Sequence, residues 1–578
     1  MIHPHAQPLA DLFGFLLPEM ILVLGACILF VGGLFKSDRY VWSVVAVGAI
    51  FLALTRTLSS ASVQSLEGGA VFGVPFLFDS LAQWTRVVAL LTGLVFLLLC
   101  WHDVPEKQVA DHHACFLVIL AGVSLVGASN DLVALFLSLE MISIPTYILL
   151  YLPKHDDDAQ EASIKYFLLS VFSSGLLLFG FSYLFGLTGT TNIAGILQVL
   201  YGASVEEARA VSGLAQVAML TIAAGLGFRI TAVPFHFYAP DVFQGTSTSG
   251  AAFLSYVPKI AGFVALLRVF GFVAPAGVTV TAGPGLALSD QVAPLFWFLA
   301  ALTMVIGNTL ALLQDNLKRL LAYSSIAHAG YMLVALASAP YLGGADSPTS
   351  GVPALLFYLI AYGTMTLGIF AVIVMLHRPE RPVETVDDLA GLAQSHPGTA
   401  LLVTALLLSL IGFPLTVGFT GKFMIFFSAV SVQSPIGWLY PTLAVIGVLS
   451  AAVGAWYYLR IITMMYLRSA VKPIETRGNL PAKMALIACV ALTFALSIPP
   501  GAGWILNGGG RVASPPAVKH VLVVSHFASA HGRPHAPREE FLTRSVRSTI
   551  KLRHYPRFGA SWRGEAVRKL RIGSGGVR

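Results

Sequence analysis

The chain reads as an all-α membrane protein of about fourteen transmembrane helices. Three observations predict this. Apolar residues make up 56 % of the 578 and charged residues only 11 %, which is not the balance of a soluble globule. Many apolar stretches reach the roughly 20 residues that a helix needs to cross a bilayer. The loops between them alternate in charge, as membrane loops do.

The expected spans are 9–34, 40–58, 76–100, 112–128, 132–151, 162–188, 211–234, 249–274, 292–313, 318–338, 351–376, 399–430, 438–467 and 481–506. Only Ser129-Asn130-Asp131 separates the fourth from the fifth. That is a tight turn whose Asn and Asp can cap the next helix. With loop 35–39 taken as cytoplasmic, that side carries Lys36, Arg39, Lys107, Lys154, Lys318, Arg319, Arg378, Arg381, Arg468, Lys472, Arg477 and Lys483. The other side carries only Arg209. This asymmetry places both termini outside. No basic segment precedes the first apolar run, so the first span is expected to be retained.

The units read from this pattern are an N-terminal three-helix segment (1–111), a first repeat (112–274), a second repeat (292–467), a last span (481–506) and a tail (507–578). The tail opens with Asn507-Gly508-Gly509-Gly510, has Pro515-Pro516 and lacks a helical apolar period. It is expected to be disordered alone. Residues 511–578 hold fourteen Lys and Arg against Glu539, Glu540 and Glu565. The net charge of +7 therefore belongs to the tail and does not mark a nucleic-acid binder.

Some chemistry is not expected. Cys27, Cys100, Cys115 and Cys489 are scattered, with no C-x-x-C. Iron–sulfur or zinc ligation and a disulfide framework are unsupported. Neither nucleotide-binding glycine motif occurs in its required context, so no cofactor is expected in this chain.

Two spans are interrupted. Span 7 runs into Phe228-Arg229-Ile230-Thr231-Ala232-Val233-Pro234, and span 12 contains Ile411-Gly412-Phe413-Pro414-Leu415-Thr416-Val417-Gly418. Proline removes a backbone donor and collides with the preceding turn, so both helices should break. Broken backbone at bilayer depth survives only where protein buries it or a wet cavity meets it. Spans 7 and 12 lie an odd number apart, so spans 4–8 and 9–13 would be two five-helix repeats of inverted topology. Paired broken helices in inverted repeats point to a transport path.

Glu140, Arg229, Lys259 and Lys422 all fall inside apolar spans. A charge at bilayer depth costs roughly 2.5–3.5 kcal/mol on insertion scales and usually lines an ion or proton path. One acid and three bases suggest a charge relay more than a pocket for one solute.

Several motifs carry a family resemblance. Span 5 reads Ser138-Leu139-Glu140-Met141-Ile142-Ser143-Ile144-Pro145-Thr146-Tyr147. Span 7 continues into Val233-Pro234-Phe235-His236-Phe237-Tyr238-Ala239-Pro240-Asp241. Span 10 opens Asn316-Leu317-Lys318-Arg319-Leu320-Leu321-Ala322-Tyr323-Ser324-Ser325-Ile326-Ala327-His328, and span 12 carries Gly418-Phe419-Thr420-Gly421-Lys422-Phe423. Residues 9–506 resemble the antiporter-like membrane subunits of respiratory complex I, the subunit N family most of all. The resemblance implies a fourteen-helix fold and proton pumping driven by quinone reduction elsewhere in a hetero-oligomer, where NADH and quinone are used. It implies other membrane subunits and the lipid bilayer as partners. Sister families exchange Na⁺ or K⁺ for H⁺, and that activity, or a scaffold without its own path, is the alternative. A hard-cation site would want several converging oxygens, which Glu140 alone does not provide.

Matched by motif, Glu140 is the span-5 glutamate, Lys259 the span-8 lysine and Lys422 the span-12 lysine. Arg229 stands where subunit N usually has a lysine, and arginine cannot give up its proton. Either His236 titrates in its place or Arg229 is a fixed counter-charge, its fork holding Glu140 by two hydrogen bonds. The turn Gly245-Thr246-Ser247-Thr248-Ser249-Gly250 is a second departure, expected to be local.

Each residue also has a plainer reading. Glu140 with Arg229 is otherwise a static pair that fixes helix packing. Lys259 and Lys422 would otherwise snorkel, which mid-helix placement makes hard. Lys165 either belongs to the relay or snorkels. Lys318 and Arg319 read first as positive-inside anchors. His328 bridges the regions of Lys259 and Lys422 or is a satisfied core histidine, and His236 with Asp241 relays or caps. Arg56, Asp79, Arg86 and Arg268 read as anchors or subunit contacts, and Trp456, Tyr457 and Tyr458 as packing and interface belt.

Overall fold

Side chains that the sequence places at helix starts fix six of the observed boundaries. Asp79, Asp131, Asp156, Ser247, Asn316 and Thr416 each accept a backbone N–H from the first turn that follows. Such a cap satisfies a donor that has no partner within the helix. Asp131 caps the fifth span as expected, while Asn130 instead donates to Val71 O (2.9 Å) and Val74 O (3.1 Å). Ser247, in the departing turn, caps the helix after it.

The computed structural model describes residues 9–59, 68–154, 156–202, 205–273, 289–339, 351–377, 383–432, 437–469, 475–476 and 480–497. The tail 507–578 and the end of the last expected span lie outside them. The helices are α1 (Leu9–Gly33), α2 (Arg39–Ser59), α3 (Ser80–Cys100), α4 (Val109–Ala128), α5 (Leu132–Tyr151), α6 (Asp157–Thr188), α7 (Ile193–Gly202), α8 (Val205–Arg229) and α9 (Ala239–Gly245). There follow α10 (Thr248–Val269), α11 (Ser289–Ala311), α12 (Leu317–Ser338), α13 (Gly351–Met375), α14 (Leu392–Ser395), α15 (Pro397–Ile411), α16 (Val417–Val430), α17 (Leu439–Leu467) and α18 (Leu480–Ser497). Leu376–His377 and Glu475–Thr476 form one short antiparallel pair.

Twelve of these helices are long and apolar enough to cross a membrane. Shorter apolar helices occupy the two interrupted spans. Span 12 breaks at its Gly-Pro segment, into α15 and α16. Span 7 stops at Arg229, five residues before Pro234, because the irregular segment 230–238 already begins there. The short helices α7, α9 and α14 were not expected; each lies in a stretch read as a loop or as a span flank.

The layering follows the bilayer. α10, α12 and α13 are buried almost throughout. The outer helices α2, α6 and α17 leave Phe51, Phe172 and Val448 exposed. A helix apolar on all sides with a polar residue inside is arranged for hydrocarbon around it, not water.

Candidate functional site

The first break brings three expected residues together. Where α8 ends, its last carbonyls have no intrahelical donor. Lys259, on α10 and 0 % exposed, donates from Nζ to Ile230 O (3.1 Å) and Thr231 Oγ1 (2.6 Å). A cation suits a helix C-terminus, where carbonyl dipoles converge. Thr231 has φ +59°, a left-handed conformation that β-branched residues rarely adopt. Val233 N–H donates to Thr303 Oγ1 (3.0 Å) and the Tyr238 hydroxyl to Phe228 O (2.9 Å). Neighbouring side chains thus serve part of the freed backbone.

Arg229, the last residue of α8, turns the other way, toward α5. Its Nη2 donates to Glu140 Oε1 at 3.3 Å, and its Nη1 donates to Ser143 Oγ (2.8 Å) and Leu139 O (3.3 Å). Ser174 on α6 donates to the same Glu140 oxygen at 2.6 Å. The two-bond fork onto Glu140 is therefore corrected. The guanidinium is split between one carboxylate oxygen and the α5 backbone, because Ser143 lies one turn along from Glu140 and offers a closer acceptor. Arg229 is nearly sealed, at 4 % side-chain exposure, and Glu140 is at 20 %.

The second break repeats the motif. Lys422, on α16, donates to Leu410 O (2.8 Å) and Ile411 O (3.0 Å), the last carbonyls of α15. Gly412 at φ +90° lets the chain turn away, and Leu415 sits at φ +70°. The ammonium lies 4.9 Å from the Tyr331 ring centroid, within cation–π range. Gly418 N–H donates to Ser409 Oγ. A Cβ on Gly418 would collide with the Ser409 carbonyl, so the two half-helices can meet only through glycine.

His328 lies in the core beside the second break. Its Nδ1 is 2.7 Å from the Tyr358 hydroxyl and its Nε2 is 3.2 Å from the Tyr458 hydroxyl, which also bonds Ser324. Tyr331 meets the His328 ring edge-on, at 5.5 Å between centroids. Lys422, Tyr331, His328 and Tyr358 are thus in serial contact. His328 makes no hydrogen bond to either lysine.

Lys165 and His236 are not drawn into this line. Lys165, 39 % exposed, pairs with Glu161 (2.6 Å) and Asp241 (3.0 Å). These residues line a charged cavity of about 210 Å³ with Asp158, Gln244 and Arg319. Burial pushes the Asp241 carboxyl up, but hydrogen bonds from Arg319 and Lys165 outweigh it and hold the group below its ordinary value. His236 does not bond Asp241, and its buried Nδ1 has no partner. Lys318 is not a surface anchor. It reaches inward to Gln244 O (2.7 Å) and Thr246 O (2.6 Å), at the end of α9. Arg319 alone faces outward, and it pairs with Asp241 at 2.6 Å.

Three further readings are corrected. Arg86 is buried and forks onto Glu19 (2.8 and 2.9 Å), and Ser124 bonds the same carboxylate. Arg268 forks onto Asp79, both bonds at 2.6 Å. Both pairs join helices within the chain, so neither arginine is free to serve as an anchor or subunit contact. Tyr457 and Tyr458 are buried and hydrogen-bonded, and only Trp456 faces outward. Glu19, Ser143, Ser174, Thr231, Tyr331 and Tyr358 were not singled out in the sequence. Ser143 carried a signal, one helical turn from Glu140; Glu19 carried one too, as an acid inside the first apolar span, but its partner Arg86 lies 67 residues away and was not legible.

Known proteins share this fold. Residues 129–448 match the family described as NADH:quinone oxidoreductase/Mrp antiporter, transmembrane. NADH-quinone oxidoreductase subunit N 1 of Solibacter usitatus is 37 % identical over 504 residues, which cover 86 % of this chain and 96 % of the relative. The chain belongs to the NADH-quinone oxidoreductase subunit N family. A chain of respiratory complex I from Thermus thermophilus superposes with TM-score 0.67 at 29 % identity, covering 85 % of this chain and 98 % of that one. A chain of the Mrp complex from a Dietzia species shares the fold, with TM-score 0.66 at 20 % identity, covering 86 % of this chain and 52 % of that one. Both subunit N membership and the membrane-embedded helical fold agree with the sequence reading.

Proposed function

We propose that this chain carries protons across the membrane as a subunit of an NADH–quinone oxidoreductase, and that its path runs along Glu140, Arg229, Lys259, His328 and Lys422. The observation that carries the reading is the placement of both lysines. Each is buried at a helix break and held by neutral groups. Among the described residues, neither has a carboxylate partner. A purely structural lysine would be expected to pair, because an unpaired buried charge is costly.

Arg229 is the fixed charge of the line and Glu140 its movable partner. The Thr231 hydroxyl can accept from an ammonium or turn to donate to a neutral amine, so Lys259 keeps a partner in both forms. Each lysine belongs to one of the two five-helix units read from the sequence. Lys165, His236 and the cavity beside Asp241 lie off this line, and we read them as its mouth. Cation exchange is the lesser reading, because Arg229 and Ser174 already occupy the Glu140 oxygen that a hard cation would need.

The test is the intact complex carrying Glu140→Ala, reconstituted in vesicles. NADH-driven acidification should fall several-fold while assembly persists. Unchanged pumping by a well-assembled complex would remove Glu140 from the path, and uptake of Na⁺ or K⁺ in place of proton movement would favour exchange.

A further inference from the structure

Away from this line, three metal-ligating side chains converge under one loop. Cys100 ends α3, and His112 and His113 are the fourth and fifth residues of α4. One ligating atom from each falls within 4.8 Å of the others, and all three residues are buried. The loop 101–108 joins the two helices, so the cluster sits within a turn of the membrane surface, where an ion has a short access path.

The polar contacts are those of a prepared site. Ser43 on α2 bonds His113 Nε2 at 3.0 Å. That fixes the ring and turns its Nδ1 toward His112 Nδ1, 3.4 Å away. An outer hydrogen bond orienting one ring nitrogen while the other faces the centre is the usual support of a metal-binding histidine. The rest of the hydrogen-bonding capacity is unused: His112 Nε2 has no partner, and Cys100 reaches only Leu97 O, at 3.7 Å. The donor atoms of a three-coordinate ion with bonds of about 2.0–2.3 Å lie roughly 3.5–3.8 Å apart; the two Nδ1 atoms are already 3.4 Å apart, and no separation within the cluster exceeds 4.8 Å, so rotamer adjustment need shorten the longest by about 1 Å at most.

We infer that Cys100, His112 and His113 form a binding site for a soft monovalent metal ion, with Cu(I) as its chemical type. Thiolate and imidazole donors suit Cu(I) and Zn(II) more than hard cations. Charge decides between the two. One thiolate, two neutral imidazoles and Cu(I) sum to zero, the state that an apolar surround tolerates. Phe96 stacks on His112, and Phe116 and Phe253 pack beside it. Zn(II) would leave one positive charge there and would want a fourth ligand. On binding, the sulfur–hydrogen bond breaks, a copper–sulfur bond forms, and the proton leaves to water through loop 101–108; copper is neither oxidised nor reduced.

The experiment titrates the purified intact complex with Cu(I), anaerobically, against a competing Cu(I) chelator. Wild type should retain one copper that Cys100→Ser and His112→Gln bind on the order of 100-fold more weakly, with Ser43→Ala weakened roughly tenfold. Cys115→Ser, outside the cluster, should match wild type. Quinone reduction should be unchanged in all four. X-ray absorption of the wild-type complex should show one sulfur and two imidazole nitrogens around copper, a result that does not depend on a variant folding. Equal copper retention in wild type and Cys100→Ser, a copper shell lacking sulfur, or Zn(II) binding without Cu(I) binding would each overturn the assignment.

Discussion

The two broken spans solve one problem with different parts. At both, a helix ends within its span and a buried lysine donates to backbone carbonyl oxygen at that end. At both, one non-glycine residue, Thr231 or Leu415, is held in the left-handed region, at a cost of order 1–3 kcal/mol that the surroundings must offset. The differences lie in what stands beside the lysine. Lys259 comes from a separate helix, is sealed, and has a hydroxyl partner that can reverse its direction. Lys422 follows its own break by one short turn, and its hydrogen-bond partners are all acceptors. Among the described residues, only the first break has an acid near it, through Arg229 to Glu140. The shared part is thus the lysine on carbonyls, and the first break adds a charge pair.

The largest expected effect separates the lysines. Lys259→Met should lower NADH-driven proton translocation by about tenfold or more, because methionine cannot carry a proton, even though the Thr231 hydroxyl still donates to Ile230 O. Lys422→Met should be less severe, since its break is partly open, with Phe413 and Leu415 exposed. Acidification traces of the two reconstituted variants rank them; an equal or reversed order would break the proposed division of labour.

The next effect tests the pair beside the first break. Arg229→Ala leaves Glu140 without its cation and should cost roughly 2–3 kcal/mol of stability, below the range for a fully buried pair because Glu140 is 20 % exposed. Arg229→Lys should fall between, since one ammonium cannot reach Glu140, Ser143 and Leu139 O with the same planar fork. Thermal inactivation of the purified complex reads both. Identical behaviour of wild type and both variants would leave Arg229 as packing alone.

How much of this was legible in the sequence depends on the range of each interaction. The spans were legible because hydrocarbon demands long apolar runs, and the breaks because Gly412, Pro414 and Pro234 are local signals. The exact end of α8 was not, since it depends on Lys259, thirty residues on, taking the Ile230 carbonyl. Glu140, Arg229, Lys259 and Lys422 stood out as isolated charges and the Glu140–Arg229 pair was expected, but that each lysine would donate to carbonyls at a helix end was not. Arg86 looked like an anchor because Glu19 is distant in sequence. Lys318 looked like one because its neighbour Arg319 behaves as such, and only the position of α9 turns it inward. Tyr458 was read as belt because aromatic residues near helix ends usually are; its role beside His328 is set by helix packing.

The smallest effect concerns the charged cavity beside α9. Asp241→Asn should cost only about 0.5 kcal/mol, as partly exposed ion pairs do. The Asp241 carboxyl is held below its ordinary value. Its contribution is therefore complete above the ordinary carboxylate range and is lost as pH falls through the depressed value. Wild type and Asp241→Asn should differ slightly in stability at neutral pH and converge in acid; a gap that widens in acid would contradict this pairing.

The most direct test of the central claim is Lys259→Arg. Arginine keeps the positive charge and can still donate to Ile230 O and Thr231, but it does not release its proton at working pH. If the lysine at the break carries a proton, the Lys259→Arg complex should assemble and yet lose proton translocation in vesicles almost as fully as Lys259→Met. Translocation by Lys259→Arg at the wild-type level would show that a fixed charge suffices there, and would contradict the account.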